Sequence, residues 1–117
     1  MSETTPLPAA VEADARDRLL LTLAELGMYG IETAAGVAGT AARARAELAL
    51  RLAVRAPHGL GSYVFWLRAD EGRPAAELPL HTSGPEVDRA VVAAAAHHGL
   101  AVRPGRRSGV LLVRSAG

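Results

Sequence analysis

The chain contains no cysteine, no lysine, no asparagine and no glutamine, and only four aromatic residues in 117. The absence of cysteine excludes disulfide frameworks, thiolate zinc sites and cysteine nucleophiles together. The absence of lysine removes a Schiff-base amine and the lysine of a phosphate-binding P-loop. All 13 basic residues are therefore arginine, beside 25 alanines and 12 glycines. That pattern suits a high-GC coding bias, so arginine in place of lysine need carry no functional message. Long apolar runs are missing as well. The longest uncharged stretch around the alanine run, Ala90 to Val102, is 13 residues, whereas a membrane-spanning helix needs about 20. The N-terminus places Glu3 where a signal peptide carries Lys or Arg, and no apolar core follows. A cytoplasmic chain without a membrane partner is expected.

What is present describes a folded chain. Half of the residues are hydrophobic and 21% are charged, which is not the composition of a disordered segment. The length suits a single domain. Residues 1–8 are polar, carry Pro6 and Pro8 and read as a flexible tail, leaving 9–117 as one α+β domain. The net charge is +1, but it is unevenly spread. Residues 1–39 hold two arginines against six acids, a charge of −4. Residues 40–117 hold eleven against six, a charge of +5. A basic face on the later part is allowed, not demanded.

Periodicity then supplies the elements. Val11, Ala15, Leu19, Leu23 and Leu26 form one stripe of a helix over 9–26, with Gly27 placed to end it. A short segment over 31–38 precedes a longer helix from Thr40, its N-cap, to Arg55. Arg43, Glu47, Arg51 and Arg55 make a charged ridge spaced by four. Arg45 points instead towards the apolar face of Leu48 and Leu52, which calls for an explanation. Residues 63–67 hold three of the four aromatics and read as a buried strand. Asp70 to Pro74 is a turn, and Ala76 to Thr82 is the partner strand, placed at an edge because Pro79 cannot donate to a ladder. Ser83 and Glu86 read as a capping box for a helix ending at Gly99. Two short strands, 100–103 and 110–114, flank a loop. The expected order is α-α-α-β-β-α-β-β: a helical N-terminal half on a small, mostly antiparallel sheet. Its core should contain Leu19, Leu23, Leu26, Leu48, Leu52, Val64, Trp66, Val87, Val91 and Leu112.

Few residues carry chemistry. His58, His81, His97 and His98 show no metal-ligand spacing, and the adjacent pair points about 100° apart on a helix. None of Ser2, Ser62, Ser83, Ser108 and Ser115 lies in a Gly-x-Ser-x-Gly elbow. Asp70, Glu71, Glu86 and Asp88 read as solvated charge. No catalytic residue, metal site or cofactor is expected. The loop from Arg103 to Gly109 is the best anion candidate, since Arg103, Arg106, Arg107 and Ser108 together can hold a phosphate or carboxylate. A solvated hairpin turn is the alternative.

Helix, short helix, longer helix, hairpin and helix, over residues 15–98, resembles a winged helix-turn-helix DNA-binding domain. Ala35-Gly-Val-Ala-Gly39 supplies the Ala-x-x-x-Gly spacing, and Leu48 matches the late apolar site of the recognition helix. Residues 68–82 look like the wing of MarR-type regulators. Thr40 and Arg45 depart from the pattern, standing where apolar residues pack. The resemblance implies a transcription regulator, with Arg43, Arg51, Arg55 and Arg73 on double-stranded DNA. A second partial echo, over 61–103, is similar to the small domain of aspartate-type aminotransferases and supports only an α/β arrangement of the second half. Two other functions stay open: a protein-interaction module using the 76–82 strand or an apolar helix face, and a small-molecule or anion-binding domain. Leu20, Leu21, Leu50 and Val54 lie off the main stripes, so a homodimer built from the first helix and the 40–55 helix is expected.

Overall fold

The computed structural model describes residues 8–55, 61–71 and 77–115, with the side chains of 8–14 and 55 outside that description. The elements are α1 (Pro8–Met28), β1 (Glu32–Val37), α2 (Ala41–Arg55), β2 (Tyr63–Leu67), α3 (Arg68–Glu71), β3 (Leu78–Thr82), α4 (Pro85–His97), β4 (Leu100–Pro104) and β5 (Val110–Ser115). The five strands form one sheet in the order β1-β2-β3-β5-β4. Only β1 and β2 run parallel; the other three pairings are antiparallel. The fold is α+β, as the sequence indicates.

Alternation along β2 divides the helices between two layers. Val64 and Trp66 face α1 and α4, where Leu19, Leu23 and Leu26 meet Val87, Val91, Ala94 and Ala95. Phe65 faces the other way, onto Ala44 and Leu48 of α2. The period of two in a strand and the i, i+3, i+4 stripe of a helix produce this division. Trp66 is fully buried. On β5 the face is set one residue away from expectation: Leu111 and Val113 are buried against the helices, while Leu112 is half-buried on the α2 side. Leu52 is likewise only half-buried.

Residues 31–38 do not form the short helix expected. They are β1, which pairs Glu32, Thr33 and Ala34 with Tyr63, Val64 and Phe65. Alanine and glycine favour strands poorly, so the pairing with the aromatic strand decides their conformation. α2 is then the crossover that any parallel pair requires, and Thr40 caps it by accepting from the Arg43 amide at 3.2 Å. Gly36 sits in a bulge with φ +63°, and a Cβ there would lie 2.5 Å from Glu71 Oε2. The left-handed φ favours glycine there, and a Cβ would also displace the Glu71 carboxylate.

Three local expectations are corrected. Gly27 lies inside α1, and the positive φ after the helix belongs to Gly30. Ser83 does not form a capping box: the N-cap of α4 is Gly84, without a side-chain bond, and Ser83 Oγ accepts from the Tyr63 amide at 3.0 Å. A serine one residue too early for the cap serves the start of β2 instead. β3 is interior rather than an edge, flanked by β2 and β5. Pro79 is tolerated because the β2–β3 pairing stops at Phe65 and His81, so its flank towards β2 is locally unpaired.

Arg45 explains itself. Its guanidinium passes under α2 and donates to Tyr63 Oη at 2.9 Å, to the Thr82 carbonyl at 2.8 Å and to the Gly109 carbonyl at 2.9 Å. It also lies 5.8 Å from the Tyr63 ring centroid and 5.9 Å from that of Phe65, within cation–π range. A half-buried charge is stable there because three of its donors are taken and it lies against aromatic rings. Arg45→Met should lower unfolding free energy by about 2–4 kcal/mol, from lost charged hydrogen bonds. Arg45→Lys, which cannot span the three acceptors, should recover less than half of that loss. Chemical denaturation measures both, and an Arg45→Met variant as stable as the parent would remove the clamp from the account of the fold.

Candidate anion-binding cleft

β4 and β5 are joined by a loop, 105–109, that is held in one shape by main-chain bonds. Gly105 N–H donates to the Val110 carbonyl at 2.8 Å, and Val110 N–H to the Arg107 carbonyl at 3.3 Å. Thr82 N–H and Arg45 both reach the Gly109 carbonyl. Gly109 has φ +82°, and a Cβ on Gly105 would stand 2.9 Å from the Val110 carbonyl oxygen. The loop is thus fixed from beneath by α2 and from beside by β3. Between it and the outer side of α4 lies a cleft of about 440 Å³.

Two of the candidate arginines, Arg106 and Arg107, line this cleft together with Ser108, and all three are exposed. Arg89, one turn into α4, joins them from the opposite wall. Among the described residues, none of these three guanidiniums is paired with a carboxylate. Arg103 also lines the cleft, but its guanidinium is committed to Glu77, with Nε and Nη2 each 2.6 Å from a carboxylate oxygen. Arg103 thereby holds the Glu77 carboxyl below the usual carboxylate range. Asp88 is the one acid in the lining, and it accepts from the Thr82 hydroxyl. Arg89 was not legible as part of the site because 14 to 18 residues and a strand separate it from Arg103 and Arg107. Its one signal is its outward position beside buried Val87 and Val91.

Of the arginines proposed for DNA, the two with described side chains each meet a carboxylate. Arg43 is 3.2 Å from Glu47 and Arg51 is 3.7 Å from Glu32. The side chain of Arg55 and all of Arg73 lie outside the described residues, as does His58. The first helix of the helix-turn-helix pattern is replaced by β1, while the β2–β3 pair and α4 after it are present. The apolar residues expected at a dimer contact also separate. Leu20 and Leu21 lie on α1, Leu50 and Val54 on α2, and these helices cover opposite faces of the sheet. Among the described strands the sheet edges are β1 and β4, not β3.

Two carboxylates read as solvated or left unassigned have structural partners. Glu71 accepts from Trp66 Nε1 at 2.6 Å and pairs with Arg16 at 2.6 Å, tying α1 to β2. Burial pushes its carboxyl up, but the bonds from Trp66 and Arg16 and the charges of Arg16 and Arg68 bring it below its ordinary value. Glu25 receives both His97 Nδ1 and His98 Nε2 at 3.0 Å. Burial again opposes ionisation, and the two histidines outweigh it. Among the described residues no group of three or more His, Asp and Glu is arranged to hold a metal ion, and no helix is long and apolar enough to cross a membrane. Comparison with known proteins finds no matching family, no curated protein and no solved structure that matches this chain.

His81 stacks on Phe65 with centroids 4.9 Å apart, and its Nε2 is buried without a partner among the described residues. Burial and the neighbouring Arg45 charge depress its pKa, with Asp70 opposing. A histidine depressed in the fold contributes stability above its ordinary value of about 6.5. That contribution is lost as pH falls through the folded value, because the unfolded chain takes the proton first. The carboxylates Glu25 and Glu71 follow the same sign lower down: their contribution is present above 4.5 and fades as pH falls through their lowered values. The melting temperature of His81→Leu should therefore gain on that of the parent between pH 7.5 and pH 5.5. Parallel melting curves across that range would show that His81 does not sense pH.

Proposed function

We propose that the chain is a small binding module whose hairpin cleft receives a phosphate- or carboxylate-bearing ligand. The observation that carries this reading is the convergence of Arg89, Arg106 and Arg107 on one cleft without a carboxylate partner among the described residues. Guanidiniums left unpaired near one another repel, and an anion relieves that repulsion while satisfying their planar donors. The rigid loop keeps the cost of ordering small. Double-stranded DNA is the competing occupant, through Arg43, Arg51, Arg55 and Arg73 in the manner of a winged-helix regulator. It has less support, because two of those four arginines already meet carboxylates.

Titration of the full chain with inorganic phosphate at low ionic strength, followed by amide chemical shifts, tests the proposal. Shifts confined to the 105–109 loop and the first half of α4, weakened by salt, are expected. They should be lost in Arg106→Ala/Arg107→Ala and retained in Arg43→Ala. A short duplex bound through α2, with loss in Arg43→Ala, would support the regulator reading instead.

A second copy of the chain is the protein partner that the apolar surface favours. Leu50 and Val54 are 67% and 78% exposed, one turn apart on α2, beside Glu47 and Arg51. Opposite charges flanking an apolar ridge suit a two-fold contact, in which the same patch meets itself. The homodimer is accordingly proposed on α2 alone. Sedimentation equilibrium at micromolar concentration should give a dimer that Leu50→Glu/Val54→Glu dissociates, and a 12.1 kDa parent species would refute it.

A further inference from the structure

The cleft is larger, and more apolar at one end, than a bare inorganic anion requires. We infer that its ligand is an amphipathic anion: a phosphate or carboxylate joined to a compact apolar group. This inference rests on the anion-binding reading and adds the chemistry of the other half of the ligand.

The walls change character along the cleft. At the loop end stand Arg106 and Arg107, with Arg89 opposite. Further along, Val92 on α4 and Val102 on β4 line the same space. Val92 is 49% exposed although the buried residues of α4 are Val87, Val91, Ala94 and Ala95. It therefore lies beside the core-facing stripe, turned to the cleft, with about half of its surface left uncovered by the protein's own packing. A volume of about 440 Å³ falls in the range of clefts that bury an organic ligand, roughly 300–1,000 Å³. Phosphate alone would fill a small part of it and leave Val92 half in water, beside Val102, which already packs on the main core.

Charge fixes the orientation of the occupant. Asp88 and Arg89 enter the lining from the first half of α4, next to the loop, and Val92 lies one turn beyond them. With Asp88 bonded to Thr82 and Arg103 bonded to Glu77, the three remaining guanidiniums exceed the single acid by two charges. The anionic group belongs between Arg106, Arg107 and Arg89, and the apolar group between Val92 and Val102. A neutral apolar molecule would leave those three guanidiniums without a counter-charge. A purely polar anion would forgo the apolar wall.

Parallel titrations with inorganic phosphate, phenyl phosphate, phenylacetate and benzyl alcohol test this. Phenyl phosphate should bind at least about tenfold more tightly than phosphate, the gain expected from removing one ring face from water. Benzyl alcohol should bind far more weakly than phenyl phosphate. Phenylacetate, ranked against phenyl phosphate, distinguishes a carboxylate from a phosphate ligand. Val92→Ser, at a surface position where the fold is preserved, should shrink the advantage of phenyl phosphate over phosphate without changing phosphate binding itself. Equal affinities for phosphate and phenyl phosphate would overturn the inference and leave the anion reading standing. Benzyl alcohol binding as tightly as phenyl phosphate would overturn both, as would no binding by any of the four.

Discussion

A single guanidinium joins parts of this molecule that have little else in common. Arg45 belongs to the crossover helix, Tyr63 to the first strand after it, Thr82 to the end of β3 and Gly109 to the last hairpin. The apolar contact of α2 with the sheet is small, with Ala44, Leu48 and Phe65 as its buried members. On the other face thirteen buried residues, among those described, form the main core. A helix so lightly packed has no strong preference for one position over a sheet. Directional bonds from one charged side chain supply what apolar area does not, and they fix the rotation of α2 and the height of the 105–109 loop together.

The parts of the fold legible in the sequence are those where local pattern and tertiary demand agree. α1, α2 and α4 declare themselves by apolar stripes whose Leu19, Leu23, Leu26, Leu48, Val87, Val91 and Ala94 are buried, and the aromatic run of β2 lies between two layers. β1 was illegible because Ala34, Ala35 and Gly36 have no strand preference of their own. Their conformation comes from hydrogen bonds to Tyr63–Leu67, some thirty residues away. A helix-turn-helix match over the same residues rests on small side chains, which suit either structure. The shift of one residue on β5 has a similar origin. Val110 to Val113 is apolar throughout, so alternation carries no information and register must come from the pairing with β3.

Site residues divide along the same line. Arg106, Arg107 and Ser108 were visible as a cluster because the loop is contiguous. Arg103 belongs to that cluster by sequence and still lines the cleft, but its guanidinium is spent on Glu77. Arg89 joined for the converse reason, being remote in sequence and adjacent once α4 lies along β4. Glu71, dismissed as a turn residue, is held inward by the indole of Trp66, a contact that no spacing rule describes.

Two of Arg45's three bonds end on main-chain oxygens. A carbonyl is the same acceptor whatever side chain its residue carries, so the clamp reads the path of the hairpin and not its composition. Positions 106, 107 and 108 lie outside the bonds that Arg45 makes, while Gly105 and Gly109 are bound by their geometry. Mutation can therefore rewrite the recognising tip of the loop while its two ends and its anchor persist. The hairpin is in this sense a cassette with fixed sockets, and descendants of this chain could acquire new ligands by changing three consecutive codons.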